Sequence, residues 1–345
     1  MRRLVLVVLL VLTGCSGTAA NGVELVRVDL TATPEALAPH GDALLVGTRP
    51  SDHPELVLRA KDGTQSAVRL TPATPYGKEA HWYGLTSDGR DVFGVGGERG
   101  GAHGNVRWSA WTGDGRQIAE QPQGFSTFGG YGAGELLTVV GTATGPRIIG
   151  SWQSAKAGLD IATWTYGAGT WTREPSAGTV LESSQELLKF PMAATSTDDG
   201  GALVVGWQTG GGSTGAAVWR FDGRTWTTAT LPDGDAALAA RCWDGTCHVV
   251  GRSGGKLAWW QGSQAEPAGW RKVSTPDVPV GDRDDLAPPV PVNGVPTLFV
   301  DHGGVKLVSE RDERPADGPT GKVSAAAVAG GQVFVIAGDR LWRLA

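Results

Sequence analysis

The sequence is poor in the residues and patterns that helical, metal-binding and nucleic-acid-binding proteins depend on. Its 345 residues include only three cysteines, two methionines and six histidines. Beyond the first fourteen residues no window keeps an apolar period of 3.6, which argues against a helical fold. The net charge is −5 and no lysine- or arginine-rich run occurs, so we expect no nucleic-acid partner. The scattered histidines show no metal-ligand spacing, and no motif predicts a metal or a cofactor.

Glycine, proline and tryptophan are the abundant residues instead. The chain carries 53 glycines, 20 prolines and 14 tryptophans, so tryptophan supplies much of the aromatic area. Short apolar segments separated by glycine-rich turns are typical of many short strands. The composition therefore predicts an all-β protein.

The N-terminus has the layout of a secretory signal. Arg2 and Arg3 precede an apolar run, Leu4–Leu12, which is followed by Thr13, Gly14 and Cys15. The run has about half the length that a bilayer-spanning helix needs. Its end, Leu12-Thr13-Gly14-Cys15, resembles the lipobox of bacterial lipoproteins. An ordinary secretory signal with a chance cysteine is the alternative.

The lipobox resemblance implies a processing scheme and a location. Residues 1–14 would be removed, Cys15 would carry a lipid, and residues 15–22 would form a tether. The protein would then be attached to the extracytoplasmic face of the cell membrane. Residues 23–345 are predicted to form a single β-propeller domain.

A repeat along the chain predicts the propeller. Apolar segments that end in glycine or a turn recur about every 45 residues, a spacing typical of propeller blades. They are 43–47, 91–94, 137–141, 203–206, 248–251, 297–301 and 333–338. We predict seven four-stranded blades, with the ring closed by the N-terminal strand at 23–30; six or eight blades stay open.

Two of the three cysteines are predicted to form a disulfide. Cys242 and Cys247 flank Asp244-Gly245, a strong two-residue hairpin signal because a type I′ turn needs positive φ at both positions. The turn places Cys242 opposite Cys247, at a Cα separation of about 4.5–5.5 Å that suits a disulfide. An exported compartment permits the bond.

Two turn segments resemble the Asp-box of sialidase-like propellers. They are 196–203 and 222–226, and both depart from the full pattern. The box is structural in that family, so the resemblance implies fold and not activity. Sialidase chemistry also needs an activated tyrosine with an acid and arginines nearby. We find no such arrangement around Tyr76, Tyr83, Tyr131 or Tyr166.

Connections between the second and third strands of the blades hold the candidate ligand residues. His103, Trp152 and Trp207 lie in or beside such connections, which line one rim of the channel in similar propellers. A ligand that stacks on aromatic rings, such as a sugar, could bind there. Packing between blades is the alternative role of these tryptophans. The glycine-rich segment 94–101 is predicted to be a flexible connection.

These observations favour a lipid-anchored binding or scaffold module over an enzyme. The expected partners are the membrane, through the lipid, and an envelope protein or glycan. Two other functions stay open: a glycoside-active propeller enzyme of sialidase-like type, and a purely structural assembly lipoprotein. We expect any binding site on the rim opposite the tether.

Overall fold

The computed structural model describes residues 22–100, 104–266 and 268–345. Within these ranges the chain forms 28 β-strands and two four-residue helices, so the fold is all-β as predicted. None of the helices in the described ranges is long and apolar enough to cross a membrane. Cys15 and His103 lie outside the described residues.

The first sheet contains eight strands in two antiparallel groups of four. The groups are joined by a short parallel pairing of 69–71 with 117–119. The N-terminal strand, β1 (Val23–Val28), precedes this sheet, and a helix, α1 (Pro75–Lys78), connects its two groups. The strands are β2 (Thr33–His40), β3 (Ala43–Arg49), β4 (Glu55–Arg59), β5 (Gln65–Thr71), β6 (His81–Ser87), β7 (Asp91–Gly100), β8 (Asn105–Asp114) and β9 (Gln117–Glu120).

Three antiparallel four-stranded sheets follow, after a second helix, α2 (Phe125–Phe128). The first contains β10 (Ala133–Thr142), β11 (Gly145–Gln153), β12 (Leu159–Gly167) and β13 (Thr170–Glu174). The second contains β14 (Leu188–Ser196), β15 (Ala202–Gly210), β16 (Ser213–Phe221) and β17 (Trp226–Thr230). The third contains β18 (Ala236–Trp243), β19 (Thr246–Ser253), β20 (Lys256–Ser263) and β21 (Arg271–Val273).

The last sheet joins the two ends of the chain. Its C-terminal strands are β22 (Val290–Val292), β23 (Val295–Asp301), β24 (Val305–Val308), β25 (Glu313–Asp317), β26 (Val323–Ala329), β27 (Gln332–Ala337) and β28 (Arg340–Leu344). β1 lies between β25 and β28 and pairs antiparallel with β28 along 25–28 and 341–344. The N-terminal strand therefore pairs directly with the C-terminal one, so the backbone groups along their shared edge are hydrogen-bonded.

The first strands of the four-stranded groups stand side by side around a central channel. β2 packs beside β6 and β26, β6 beside β10, β10 beside β14, and β14 beside β18. The turns that follow these first strands meet at one end of the molecule, where Gly89 approaches Gly41 and Gly330 approaches Asp42. We call this end the lower rim, and the end at which the first strands begin the upper rim.

Large side chains fill the spaces between neighbouring groups of strands. Trp82 and Trp111, with ring centroids 5.6 Å apart, pack with Leu45 and Leu56 between the first two groups. Burial of one large apolar side chain stabilises the fold by about 2–3 kcal/mol. The core is therefore a series of layers between the sheets, and not one central cluster.

Two predictions about local structure were wrong. Segment 94–101 was predicted to be a connection, but β7 continues to Gly100. A Cβ on Gly94 would lie 2.7 Å from the Trp82 ring, and one on Gly97 would lie 3.1 Å from Trp108. These glycines leave room for tryptophans within a strand. The recurring apolar segments were predicted to be the second strands of the blades, but segment 137–141 lies in the first strand β10, and β11 is the second strand.

Candidate functional site

A repeated irregularity in the first strands projects side chains at the upper rim. In six of these strands the ladder skips one residue: Glu35, Tyr83, Leu137, Met192, Leu238 and Ser324. A bulge of this kind re-aims the extra side chain, and bulges are frequent next to functional sites. Glu35, Tyr83 and Ser324 line the same cavity of about 480 Å³, which we call the channel mouth.

His81 lies between two carboxylates at the channel mouth. Its Nδ1 is 2.6 Å from Glu35 Oε1, and its Nε2 is 3.6 Å from Glu98 Oε2. The other oxygen of Glu35 accepts a hydrogen bond of 2.8 Å from the backbone N–H of Trp82. Arg49 Nη2 is 3.4 Å from Glu98 Oε2. The imidazole is thus held by carboxylates on both sides, and Arg49 offsets part of their negative charge.

A groove on the upper rim adjoins the channel mouth. Two cavities of about 590 and 420 Å³ share a wall formed by the start of β8 and the segment 125–129. Arg99 lines both the groove and the channel mouth. The edge-to-face pair of Tyr83 and Trp108, with centroids 4.8 Å apart, stands between them. The two cavities and the channel mouth therefore form one continuous surface.

Exposed aromatic rings dominate this groove. Tyr131 is 97% exposed and Phe125 is 67% exposed, which is unusual for large side chains in a protein whose tryptophans are all buried or half-buried. The guanidinium of Arg107 lies over the Phe125 ring at 5.4 Å from its centroid. Neither Arg99 nor Arg107 forms an ion pair with a carboxylate of the described residues. The groove thus offers apolar ring faces beside the guanidinium groups of two arginines.

The connection between β9 and β10 presents these rings because its other side chains are anchored. Phe128 is buried against Trp164 at a centroid distance of 5.8 Å, and the backbone oxygen of Thr127 accepts a 2.8 Å hydrogen bond from Trp164 Nε1. A Cβ on Gly132 would lie 2.6 Å from Trp152 Nε1. With Phe128 pointing inwards and Trp152 packed under the backbone, Phe125 and Tyr131 project into solvent.

Glu120 fixes the opposite wall of the groove. Its buried carboxylate accepts hydrogen bonds from the backbone N–H groups of Ala73 and Thr74, at 2.6 and 2.8 Å, and from the Thr74 hydroxyl at 2.7 Å. Thr74 in turn caps the helix α1, which carries Tyr76. Charge-assisted bonds of this kind are stronger than neutral ones, so this wall is well defined.

The structure does not provide an activated tyrosine nucleophile at the channel mouth. Tyr83 has Glu98 and Arg99 nearby, an arrangement that the sequence analysis did not find. Burial nevertheless raises the pKa of Tyr83, whereas a nucleophilic phenol needs a lowered one. No group of three or more potential metal-ligating side chains occurs among the described residues.

The predicted tryptophans pack against other rings and do not line the groove. Trp152 lies 6.2 Å from Trp164, and Arg173 lies over its ring at 4.5 Å. Trp207 stacks on Phe190, its cross-strand partner in the ladder of β14 and β15, with centroids 3.9 Å apart. Neither lines the groove or the channel mouth, so direct ligand contact by either residue stays a prediction.

Cys242 and Cys247 are paired at disulfide distance. They face each other in the ladder of β18 and β19, with Cα atoms 4.0 Å apart. Asp244 and Gly245 have φ values of 49° and 75°, as a type I′ turn requires. The Asp222 turn has the structural role implied by its resemblance to the Asp-box. Asp222 Oδ1 accepts bonds from the backbone N–H groups of Arg224 and Thr225.

The residues of the channel mouth and the groove escaped the sequence analysis because most of them are far apart in sequence. Glu35, His81 and Glu98 belong to three strands, and Phe125 and Tyr131 lie in a connection. One local signal was available. Tyr131 stands in Gly129-Gly130-Tyr131-Gly132, where no apolar neighbours could bury it. A large aromatic residue in such a segment indicates exposure, and exposure suggests binding.

No family model and no curated protein matches this sequence. Solved structures do match it. One is the β-propeller domain of the Trilobed protease from Pyrococcus furiosus, described as having an open velcro topology. It has a TM-score of 0.52 and 8% identity, over 91% of this chain and 95% of that one.

Two further structures are longer than this chain. One comes from a study of two prolyl endopeptidases and has a TM-score of 0.51 and 14% identity, over 91% of this chain and 50% of that one. TolB from Acinetobacter baumannii has a TM-score of 0.42 and 15% identity, over 73% of this chain and 55% of that one. The chain thus spans about half the length of both. At such low identities, the two likenesses with a TM-score above 0.5 show the fold alone, which is a β-propeller.

Proposed function

We propose that the chain is a lipid-anchored, seven-bladed propeller that binds an envelope protein or glycan on its upper rim. The continuous groove and channel mouth carry this proposal, because they combine exposed aromatic rings with charged side chains in a concave surface. Concave sites with a few convergent polar groups are the usual places of ligand binding.

The core supports the count of seven blades. The buried residues form clusters, and each cluster lies between one four-stranded group and the next around the ring. A further cluster closes the circle, since it joins Phe334 and Ile336 of β27 to Leu44 and Val46 of β3. The recurring bulge in the first strands also favours one repeated blade design.

The position of β1 supports the proposed orientation on the membrane. β1 begins on the lower-rim side, where the backbone N–H of Ala345 donates a 3.1 Å hydrogen bond to Glu24 O. A tether of residues 15–22 would therefore hold the lower rim near the membrane. A flexible chain of this length has an rms span of about 15 Å. The groove would then face away from the membrane.

Substitution of Cys15 tests the lipid anchor. We expect Cys15→Ala to lose the lipid and to release the protein from membranes, measured by fractionation and by mass spectrometry of the N-terminal peptide. The neighbouring substitution Ser16→Ala is the matched control and should leave the protein on the membrane. Tight membrane association of the Cys15→Ala variant, or an unmodified Cys15 in the wild type, would contradict lipidation.

Sedimentation with cell envelopes tests the binding function. The envelopes are first extracted to remove lipids, so that a lipid on the protein cannot cause binding. We expect saturable binding of the wild type, and binding at least about tenfold weaker when both Tyr131 and Phe125 are replaced by alanine. Val295→Ala changes an exposed apolar residue at the lower rim and is the control. If no envelope fraction binds the wild type, the binding function is wrong.

An enzymatic function is the second candidate, because His81 lies between two carboxylates at the channel mouth. Glu35 and Glu98 flank one imidazole at the channel mouth, and paired carboxylates perform general acid–base chemistry in glycosidases. Glycoside turnover by the wild type that Glu98→Gln abolishes would favour the enzyme. A protein that binds the envelope without turnover of any glycoside would favour the binding module.

A further inference from the structure

We infer that the upper-rim groove binds an oligosaccharide that carries a carboxylate. The inference rests on the proposed function and narrows the ligand to an acidic glycan. Its site consists of Tyr131, Phe125, Trp108, Arg99, Arg107 and Glu135.

The exposed rings fit the apolar faces of sugars. Phe125 and Tyr131 lie at two ends of one short connection, and Trp108 forms part of the wall beside them. The C–H faces of pyranose rings pack on aromatic rings, which expose large apolar surfaces at little cost in side-chain entropy. Separate exposed rings along one groove suit successive sugar residues of a chain.

The charges of the groove select an acidic sugar. In the ladder between β7 and β8, Arg99 faces Val106 and Arg107 faces Glu98, so the two arginines project from neighbouring positions of one strand pair. Arg99 donates a 3.3 Å hydrogen bond to the backbone oxygen of Gly104, and Arg107 contacts the Phe125 ring. Both guanidinium groups thus retain donors for a carboxylate, which they bind in a planar, bidentate manner.

The shape of the groove favours a glycan over a protein. Its larger cavity of about 590 Å³ lies in the range of small-ligand sites, which runs from about 300 to 1,000 Å³. A stable protein interface instead needs about 800 Å² on each partner. Glu135 also lines the groove and can accept hydrogen bonds from sugar hydroxyl groups.

Immobilised carboxylated oligosaccharides and their carboxyl-reduced counterparts test the inference. The set includes uronic acid, sialic acid and muramic acid oligomers, and the full chain is used in detergent. We expect at least one carboxylated oligomer to bind, and its reduced counterpart to bind about tenfold more weakly or worse. Tyr131→Ala and Arg107→Gln should each weaken binding by about the same factor. Raised salt should also weaken binding, since part of it is electrostatic.

Arg224→Gln is the matched control for Arg107→Gln. Arg224 is an exposed arginine in a lower-rim turn and should be neutral to binding. Tyr131 is almost fully exposed, so Tyr131→Ala keeps the fold and reports on binding alone. Equal binding of reduced and carboxylated oligomers, or wild-type binding by both groove variants, overturns the inference.

The envelope experiment separates this inference from the proposed function. If extracted envelopes bind through the groove but no carboxylated oligomer does, the acidic glycan is wrong and the binding module stands. If protease treatment of the envelopes removes the binding, the occupant is a protein and the glycan is again overturned. If the envelopes do not bind the wild type, the proposed function itself fails.

Discussion

The imidazole of His248 stacks on the indole of Trp243, with ring centroids 4.1 Å apart and an interplanar angle of 18°. Trp259 meets the same imidazole edge-on at 6.2 Å. His248 is buried between these rings, and its Nδ1 has no hydrogen-bond partner among the described residues. Burial, with a smaller effect of the positive charge on Arg271, lowers the pKa of His248 to about 4.

This pKa makes the stability of the fold depend on pH. The pKa of histidine in the unfolded chain is 6.5, so between pH 6.5 and about 4 the unfolded state binds a proton that the folded state excludes. Stability should therefore fall as the pH falls through this range, by up to about 3 kcal/mol from this group. Urea unfolding at a series of pH values measures the change.

His248→Phe is the control for this prediction, because phenylalanine keeps the ring stack and cannot be protonated. As the pH falls from 6.5 to 4, the unfolding free energy of the wild type should decrease more than that of the variant. Parallel pH profiles for the two proteins would contradict the pKa assigned to His248.

The disulfide next to this stack should stabilise the protein modestly. Cys242 and Cys247 are five residues apart, so the bond closes a short loop and contributes about 2 kcal/mol. We expect Cys242→Ala together with Cys247→Ala to lower the unfolding free energy by about this amount. Peptide mapping without reductant should give a linked peptide two hydrogens lighter than the dithiol. Recovery of two free thiols would refute the bond.

Arg241 should be replaceable by methionine without loss of stability. The Nη2 of Arg241, in β18, donates a 2.6 Å hydrogen bond to Ala326 O in β26, but its Nε is buried without a partner among the described residues. Burial lowers the pKa of Arg241 to about 10, so the group stays charged at neutral pH. Burying such a charge is costly, and an apolar side chain of similar length avoids the cost. Thermal unfolding should show an equal or higher midpoint for Arg241→Met, whereas Arg241→Ala leaves space and should be less stable.

Glu120 should position the groove wall without touching the ligand. Glu120→Gln replaces an acceptor oxygen with a donor that faces two N–H groups and a hydroxyl. We expect a loss of about 1–3 kcal/mol in unfolding free energy and weaker binding of carboxylated oligomers. Gln117→Glu, in the same strand β9, is an exposed control and should change neither quantity by much. Unchanged proton exchange of the amides at 73 and 74 in the Glu120→Gln variant would contradict this role.

Much of the fold could be predicted because strands and turns have local signatures. The Asp244-Gly245 turn fixed the register of Cys242 and Cys247, and the turn formed as predicted. Six of the seven recurring apolar segments in the sequence are second strands of four-stranded groups, because these strands are apolar and end in glycine or a turn. In the third group the apolar segment is the first strand instead. The second strand β11 carries Arg147, which is buried because it pairs with Glu174 and lies 4.1 Å over the Phe221 ring.

The glycines of β7 show a second limit of local patterns. In sequence, a run such as Gly94 to Gly97 indicates a flexible connection. In the structure the space of the missing side chains is filled by Trp82 and Trp108. A glycine in a strand differs from a glycine in a loop in the side chain that packs against it. For Gly94 that side chain is Trp82, which belongs to another strand.

The sequence by itself determined the all-β composition, the hairpin with its cysteine pair, and the expectation of a lipid anchor at Cys15. These features depend on residues that are close together along the chain. The site was decided by the tertiary structure, because the bulges of separate first strands bring Glu35, Tyr83 and Ser324 to one channel mouth. The sheets also pack Trp152 and Trp207 against other rings, while the loop between β9 and β10 leaves Phe125 and Tyr131 exposed. Which aromatic residues face solvent depends on how neighbouring sheets pack, and a single sequence does not contain that information in any local pattern.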